Sequence, residues 1–566
     1  MHAIFDKIRK AVIGANAPIN TPFGVKPLIY ADYTASGRSL SFIESYISQH
    51  VLPWYANTHT ETSFTGAQSS KLREQARDEI RKAINASAQD KIIFCGAGAT
   101  AAINKIMDIL GLRNPNKVPS DDPTQCPVIF IGPYEHHSNE LPWRESCAEV
   151  VCIPLTACGQ IDVAVLEQKL IKYSDRNLKI GSFSAASNVT GILSNVDVIT
   201  AMLAKHKALS FWDYAAAAPY IPINMNSTTP IDAVFISPHK FIGGPGTPGV
   251  LVVKEHLVKN AIPTMIGGGT VSFVTPTKHV YTSNIERREE GGTPAIIEAV
   301  RAGLVFKLQQ EVGLDAINTS EDAKVNTAMA FFSSAPNIEV LGSQKAKRLS
   351  IFSLRFKHQD KELHYGFVTA LLNDLFGIQA RGGCSCAGPY GHSLLNMDKA
   401  YSEAIEKEVG DGNMILRPGW VRLNFNYFIS QNEFDYILQA LKLVAEHGWR
   451  LLPFYKLDSA TWSWRYQGQS LQLPSSFSEM TLLDSVDQHT KNNAESSLAN
   501  TTNKQEPDYE ALLLDATQVL LKTTLNHANY PITLSPSAEA LRWFTLPQEC
   551  FDALTSSSID RLAEIN

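Results

Sequence analysis

The sequence has few cysteines for its length, no long apolar run and no strong excess of one charge. Eight cysteines in 566 residues, without the spacing of a disulfide framework, predict reduced thiols and a cytoplasmic location. No apolar run reaches the roughly 20 residues that a membrane-spanning helix needs, and the first residues lack the apolar core of a signal peptide. A net charge of −6 does not favour binding to nucleic acid or to an anionic membrane. We therefore expect a large globular protein that binds neither nucleic acid nor a membrane.

Seven short apolar runs alternate with helical stretches in the first half of the chain. The runs are Ile92–Phe94, Val128–Ile131, Glu149–Pro154, Ile180–Ser184, Leu209–Trp212, Ala233–Ile236 and Val250–Val253. Buried strands that alternate with helices predict an α/β fold, in which a parallel or mixed sheet carries helices on its faces. We therefore predict one large domain over residues 30–305.

The rest of the chain divides into segments of different composition. Residues 306–455 alternate strand, helix, strand and helix, which is typical of a smaller α+β domain. Residues 456–508 are rich in Ser, Asn, Gln and Thr, which predicts a flexible linker. Residues 509–566 recover apolar periodicity, which predicts a helical extension. Residues 1–29 are predicted to pack on the small domain.

The segment Ser237–Gly246 places one lysine, Lys240, between an apolar run and a glycine-rich turn. A partly desolvated lysine has an amine free to attack a carbonyl. Ser237 and His239 can bind an anion nearby, and the glycines let backbone come close. A lysine that condenses with an aldehyde beside a phosphate site is what pyridoxal phosphate (PLP) needs. The same pattern also fits a surface lysine before a loop.

A second glycine-rich segment, Gly96–Ala101, follows the first strand and opens a helix. Its spacing matches the G-x-G-x-x-A fingerprint of dinucleotide-binding folds. That fingerprint needs an acidic residue at the end of the next strand, whereas Asp121 and Asp122 lie in a proline-flanked loop. The exposed N–H groups of a helix N-terminus bind a single phosphate without that acid. We predict a phosphate site here and keep NAD as the weaker alternative.

Two further segments place polar side chains at the carboxyl ends of predicted strands, where ligands of open α/β sheets bind. Asp213 in Phe211–Ala215 can hold a pyridine nitrogen protonated, although an acid at this point can also cap a helix. His136 in Glu135–Asn139 can stack on a flat ring. Metal ligation or helix capping would use the same histidine.

These segments, in this order, resemble the class V aminotransferase-like branch of the fold-type I PLP enzymes. They are most similar to the cysteine desulfurase and selenocysteine lyase group. The resemblance runs from about Tyr30 to Glu446 and includes an N-terminal motif, Tyr30–Ser36, that is similar to the family's. It implies a mixed, mostly parallel seven-stranded sheet in the large domain, a smaller α+β domain and a homodimer.

The resemblance also implies roles for individual residues. Lys240 resembles the lysine that forms the Schiff base with PLP, and His136 resembles the residue that stacks on the pyridine face. Asp213 resembles the partner of the ring nitrogen, and Asn188 resembles the contact of the ring hydroxyl. The residues that resemble the family's phosphate site, of which the last reaches the partner subunit's phosphate, are Ala99, Thr100, Ser237, His239 and Thr293.

The loop Arg381–Pro389 bears on the substrate. Arg381 can bind a carboxylate through two parallel hydrogen bonds and so orient an α-amino acid. Cys386 stands where relatives with an Arg-x-Gly-x-x-Cys-Ala motif carry the nucleophile that attacks the substrate sulfur as a thiolate. Cys384 and Cys386 can also be two small loop residues. A metal site from these cysteines and His392 would lack a fourth ligand, so no metal is expected.

We therefore expect a PLP-dependent C–S (or C–Se) lyase that acts on an amino acid, leaving alanine and a persulfide on Cys386 for a sulfur-acceptor protein. Two positions depart from the desulfurase pattern, with Ala216 in place of Gln and Ala101 in place of Glu. One alternative is an aminotransferase, epimerase or β-lyase that uses the same site without the cysteine. A second is a non-catalytic scaffold on the same fold.

Overall fold

The computed structural model describes residues 2–58, 60–113, 122–474, 506–522 and 529–563. The chain divides into two compact units. The sheet unit comprises Tyr33–Asp322 and Gly342–Leu349, and the terminal unit comprises Met1–Asp32, Ala323–Leu341 and Ser350–Asn566. No helix within the described ranges is both long and apolar enough to cross a membrane.

A seven-stranded sheet forms the core of the sheet unit. Its strands are β1 (Asp90–Cys95), β2 (Val128–Ile131), β3 (Glu149–Cys152), β4 (Lys179–Ser184), β5 (Leu209–Asp213), β6 (Ala233–Ile236) and β7 (Gly249–Lys254). They lie in the order β1-β7-β6-β5-β4-β2-β3, and β7 alone runs in the direction opposite to the other six. The predicted α/β fold with a mixed, mostly parallel seven-stranded sheet is confirmed.

The sheet forms where the sequence is continuously apolar, because its central strands are buried on both faces. The main helices of this unit are α1 (Phe64–Ala83), α2 (Gly98–Ile109), α3 (Val163–Lys172), α4 (Val196–Lys205) and α5 (Ile296–Val312). Shorter pieces are the helices Ser41–Tyr46, Leu141–Arg144 and Ile285–Glu289 and the hairpin Val271–Val274/His279–Tyr281. Polar side chains start several helices: Ser63, for example, accepts the Gly66 N–H at 3.3 Å and caps α1.

The terminal unit is built on an antiparallel sheet. Its strands are β8 (Ile338–Val340), β9 (Ile351–His358), β10 (Lys361–Leu363), β11 (Arg381–Gly383) and β12 (Trp420–Asn424), in the order β8-β9-β12-β11 with β10 beside β9. Its helices are α7 (Tyr365–Phe376), α8 (Gly388–Leu394), α9 (Lys399–Gly410) and α10 (Gln431–His447), and α6 (Leu314–Ser333) crosses the unit boundary. N-terminal pieces are a helix, His2–Ala11, the hairpin Pro18–Thr21/Gly24–Pro27 and Ile29–Tyr30, which pairs with Ile378–Gln379.

The C-terminal part of the chain adds further elements to the terminal unit. They are the hairpin β13 (Tyr455–Asp458)/β14 (Ser463–Tyr466), and the helices α11 (Tyr509–Leu521), α12 (Pro536–Ala540) and α13 (Pro547–Ala563). The hairpin occupies the first residues of the stretch predicted as a linker, because its Trp464 is fully buried and anchors the pair of strands. Residues 475–505, most of that stretch, lie outside the described residues.

Candidate active site

Lys240 ends a 3₁₀ turn, Pro238–Lys240, that directly follows strand β6. Its N–H donates to Ser237 O at 3.0 Å, which closes the turn. Gly37 packs on the turn: its N–H donates to the His239 carbonyl at 2.8 Å, and any Cβ there would overlap backbone. The Lys240 side chain is half-buried at the carboxyl edge of the sheet, where the apolar run and the glycine-rich turn predict it.

Asp213 ends the neighbouring parallel strand β5, so it reaches the same edge as Lys240. It is 4% exposed, and the Ala215 N–H donates to its Oδ1 at 2.8 Å. Burial raises the pKa of Asp213, while this N–H and the positive charge of Lys240 act in the opposite direction. A buried carboxyl group of this kind is stabilised as an anion by a protonated ring nitrogen, so the site fits the pyridine ring of PLP.

The N-terminus of α2 lies beside the 3₁₀ turn that carries Lys240, and we call this helix start the predicted anion pocket. Gly98 begins the helix at φ +57°, and a Cβ there would lie 2.8 Å from Ser237 Oγ and 3.0 Å from His239 Cε1. The Ala99 N–H donates to Ser237 Oγ at 2.9 Å. Burial, followed by the charge of Lys240, lowers the pKa of His239 to about 4. The positive end of the helix, the Ser237 hydroxyl and the space that Gly98 leaves fit a phosphate group.

The hydroxyl of Thr100 adds a further polar group at this helix start. It lies 2.6 Å from Ser138 Oγ, in the turn that follows strand β2. The same Ser138 donates its backbone N–H to Nδ1 of His136 at 3.1 Å. These contacts join the helix start to the turn that carries His136, so the predicted phosphate-site threonine and the predicted ring-stacking histidine belong to one network.

Glu135, for which the sequence predicts no role, is buried and connects this turn to the sheet by hydrogen bonds. Glu135 accepts hydrogen bonds from Ser184 Oγ (2.6 Å), Asn139 Nδ2 (2.7 Å) and the Gly132 N–H (3.2 Å). Burial raises the pKa of Glu135 to about 8, and the nearby charge of Asp213 acts in the same direction. Its place directly before His136, after a buried strand, was the one sequence signal for it.

Asn188 lies in the turn after strand β4 and is 7% exposed. The turn is closed by Ser187, whose Oγ accepts the N–H groups of Val189 and Thr190 at 3.2 Å each. Strands β6, β5, β4 and β2 are adjacent and parallel. Lys240, Asp213, Asn188 and His136 therefore follow four neighbouring strands in order, along one edge of the sheet.

Thr293 is exposed in a loop, Gly291–Thr293, that two buried glutamates anchor. Glu290 binds the guanidinium groups of Arg73 and Arg77, and the Phe94 N–H donates to it at 2.6 Å. Burial acts to raise the pKa of Glu290, but the two arginines hold it below its ordinary value. Its neighbour Glu289 accepts the Thr264 N–H and hydroxyl and the side-chain amide of Asn260. The contacts of Glu289 and Glu290 therefore fix the position of the loop that carries Thr293.

In the terminal unit, two arginines share one carboxylate. Strands β11 and β12 pair Arg381 directly opposite Arg422. Arg381 Nε donates to Asp32 Oδ2 at 2.9 Å, and Arg422 Nη2 donates to Asp32 Oδ1 at 3.1 Å. The Arg381 side chain is 53% exposed, whereas that of Arg422 is 5% exposed. Asp32 thus orients the exposed guanidinium of Arg381, and a guanidinium held in this way can bind a carboxylate ligand.

Cys386 sits in a tight turn in which two consecutive residues adopt left-handed backbone. Ser385 has φ 55° and Cys386 has φ 56°, and the Ala387 N–H donates to Cys384 O at 3.3 Å. Left-handed backbone at residues with a Cβ costs free energy, and such strain is concentrated at functional sites. Cys386 is exposed, and Arg417 Nη2 donates to Cys384 Sγ at 3.8 Å.

The structure also places the residues of the alternative metal and dinucleotide sites. His392 Nδ1 lies 2.7 Å from Ser402 Oγ, and no group of three metal-binding side chains occurs in the described part of the chain. Asp122 is exposed and accepts the N–H and hydroxyl of Thr124, while Asp121 lies outside the described residues. The departures Ala216 and Ala101 are buried and half-buried, respectively.

Comparison with known proteins gives consistent matches. A family model described as Aminotransferase class-V matches residues 29–436. A probable cysteine desulfurase of Halalkalibacterium halodurans is 29% identical over 367 residues, which covers 64% of this chain and 85% of that protein. A probable cysteine desulfurase of Streptomyces coelicolor is 27% identical over 369 residues, with 64% and 84% covered.

Solved structures show the same fold. The apo cysteine desulfurase of Thermococcus onnurineus NA1 superposes with a TM-score of 0.62 at 23% identity, covering 74% of this chain and 95% of that one. The cysteine desulfurase CsdA of Escherichia coli gives a TM-score of 0.57 at 20% identity, with 74% and 94% covered. These likenesses agree with the α/β architecture described above.

Proposed function

This chain belongs to the class-V aminotransferase family, and on that premise we propose that it is a PLP-dependent cysteine desulfurase-like enzyme. It would release alanine from L-cysteine (or its selenium analogue) and keep the sulfur as a persulfide. The observation that carries the proposal is the order of Lys240, Asp213, Asn188 and His136 along four adjacent strands, next to an anion pocket at α2. The sulfur-acceptor protein and the cytoplasmic location stay predictions.

The sheet unit would hold the cofactor. Lys240 would bind it covalently, Asp213 would pair with its ring nitrogen, Asn188 would contact its ring hydroxyl and His136 would stack on its face. The phosphate would bind among the residues of the anion pocket, which are Ala99, Thr100, Ser237 and His239. When bound, PLP supplies an electron sink for the bonds at the substrate α-carbon. The amine of Lys240 would also take and return a proton.

The terminal unit would bind and attack the substrate. A guanidinium pair on one carboxylate, Arg381 and Arg422 on Asp32, would bind the substrate carboxylate. The thiolate of Cys386 would attack the substrate sulfur, and the C–S bond would break with its electron pair passing to the substrate carbon, which takes a proton to give alanine. The sulfur would stay on the enzyme as Cys386–S–SH. The exposed, strained turn supports this role because it presents the sulfur atom outward.

The replacement of Cys386 by alanine tests the persulfide step. We expect Cys386→Ala to lower alanine release from L-cysteine roughly 100-fold or more, because the nucleophile is lost while the cofactor site is intact. The measurement is alanine and sulfide formed per enzyme, with Cys158→Ala, a change at another exposed cysteine, as control. Alanine release at the wild-type rate would contradict the persulfide role. Accumulation of pyridoxamine phosphate would favour an aminotransferase instead.

A homodimer is part of the proposal, and an exposed apolar surface supports it. Within residues 262–280 of the sheet unit, six large apolar side chains are more than half exposed: Ile262, Met265, Ile266, Phe273, Val274 and Val280. Surfaces of this kind mark protein interfaces. The same segment holds the loop of Thr293, since the Gly292 N–H donates to Gly268 O at 2.8 Å. A second copy on this apolar surface would be placed to receive Thr293 at its phosphate site.

A charge on this surface should separate the subunits. We expect Phe273→Asp to halve the molar mass measured by light scattering and to lower activity, because a buried unpaired carboxylate opposes association. The control is Leu514→Asp, at an outward position of α11 that is 62% exposed. A wild-type protein that is already monomeric, or a Phe273→Asp variant that stays dimeric, would show that the surface serves another purpose.

A further inference from the structure

Residues near the C-terminus pack on the rest of the terminal unit, in a segment that lies beyond the family match to residues 29–436. In residues 535–550, which we call the tail segment, Arg542 binds Glu539 at 2.6 Å and Glu549 at 2.7 Å, and its side chain is only 5% exposed. Phe544 is fully buried. The ion pairs of this nearly buried guanidinium with two exposed glutamates, together with the buried ring of Phe544, hold the tail segment on this unit.

Trp543 is the residue through which the tail segment contacts the start of α7 and the turn before β12. Its ring stacks on His364 (centroids 5.3 Å apart, planes at 21°) and on Tyr365 (6.0 Å, 13°). Its Nε1–H donates to Leu416 O at 3.0 Å. The indole therefore holds two separate elements, the start of α7 and the turn that leads into β12.

The first element supports the strand that carries Arg381. A Cβ on Gly382 would lie 2.9 Å from Tyr365 Cδ2, and one on Gly419 would lie 2.7 Å from Tyr365 Cε1. The ring of Tyr365 is thus packed directly on the backbone of β11 and of the residue before β12. Tyr365 therefore packs both on Trp543 and on these two glycines, of which Gly382 belongs to the strand that leads into the Cys386 turn.

The second element supports Cys384. His364 Nδ1 accepts the Trp464 Nε1–H at 3.2 Å, so Nε2 carries the proton and donates to Ile415 O at 3.2 Å. Burial lowers the pKa of His364 to about 3, which keeps the ring neutral. The carbonyls of residues 415 and 416 are therefore both held, directly before Arg417, whose guanidinium lies 3.8 Å from Cys384 Sγ.

We propose that Trp543 is a positioning residue for the Cys386 turn, and that the C-terminal extension serves as a support of the active site. The effect of Trp543 on catalysis rests on the proposed function. The coupling between Trp543 and the Cys386 turn lies within the terminal unit and does not depend on that function. Removal of the indole would free Tyr365 and the 415–417 turn, and the half-buried Cys384 beside them would become accessible.

Alkylation of the cysteines in the full-length protein tests the coupling. We expect Trp543→Ala to raise the iodoacetamide reaction rate of Cys384 about tenfold, measured by peptide mapping. Cys550, buried in α13, and Cys95, buried in the sheet unit, should keep their wild-type rates. Trp543→Phe, which keeps an aromatic ring, should restore Cys384 to within about threefold. Trp449→Ala, which removes a ring stacked on His358, is the control.

The alkylation rates and the rate of alanine release distinguish a failure of the positioning role from a failure of the proposed function. Alanine release from L-cysteine by Trp543→Ala should show a kcat lowered about tenfold with KM within about twofold. An unchanged alkylation rate of Cys384 in Trp543→Ala overturns the positioning role. An equal increase in the alkylation rate of Cys550 or Cys95 also overturns it, because the substitution then destabilises the whole fold. If the wild type releases no alanine, the proposed function fails while the alkylation rates still decide the coupling.

Discussion

Lys240→Ala should abolish turnover of any amino acid and the covalent attachment of PLP. We expect the rate to fall about 10⁴-fold, because one amine both holds the cofactor and transfers the proton. Lys240→Arg should be as inactive, since a guanidinium keeps the positive charge but forms no such bond. The measurement combines the visible absorbance of purified protein with added PLP and the rate of alanine release.

Borohydride trapping identifies the amine directly. In the wild type, reduction followed by peptide mapping should place the PLP label on Lys240. Lys307→Ala, a change at a lysine on α5 that is about half exposed, should keep the label, absorbance and rate of the wild type. A label on another lysine, or no label with saturating PLP, contradicts the assignment of the cofactor site.

Asp213→Asn should lower the rate about 10³-fold while the protein still binds PLP. The asparagine oxygen can keep the hydrogen bond from the Ala215 N–H, so the turn is retained. What is lost is the negative charge that stabilises a protonated ring nitrogen in a buried site. The measurement is kcat for alanine release together with a PLP titration.

A second aspartate of the same sheet provides the control. Asp232 lies at the other end of β5 and β6, where it accepts the Ser210 N–H at 2.8 Å. Asp232→Asn should change stability without a comparable loss of kcat. If Asp213→Asn keeps a rate within about tenfold of the wild type, the carboxylate does not serve as the partner of the ring nitrogen.

The fold and four residues of the candidate site follow from local sequence. Each of His136, Asn188, Asp213 and Lys240 comes directly after an apolar run that forms a parallel strand. Because the carboxyl ends of parallel strands meet at one edge, their convergence needs no knowledge of long-range contacts. The roles of these residues, and the domain limits at residues 305 and 455, stay predictions.

Other features depend on contacts between residues far apart in the chain. Asp32 meets Arg381 across 349 positions, and Arg422 joins them because β11 pairs with β12 in one register. The sequence around Glu290 does not indicate that the residue is buried, and only the structure shows its ion pairs with Arg73 and Arg77. Nothing local distinguishes Trp543 from other tryptophans. Such residues acquire a role only through their neighbours in space.

The amino-acid order alone therefore determined the sheet and the placing of His136, Asn188, Asp213 and Lys240 at one of its edges, because strand periodicity and glycine backbone freedom act over a few residues. The tertiary structure alone decided how the arginine pair is oriented, how the Thr293 loop is anchored and what supports the cysteine turn. Those arrangements depend on burial and on register between distant strands, and both arise only when the whole chain packs.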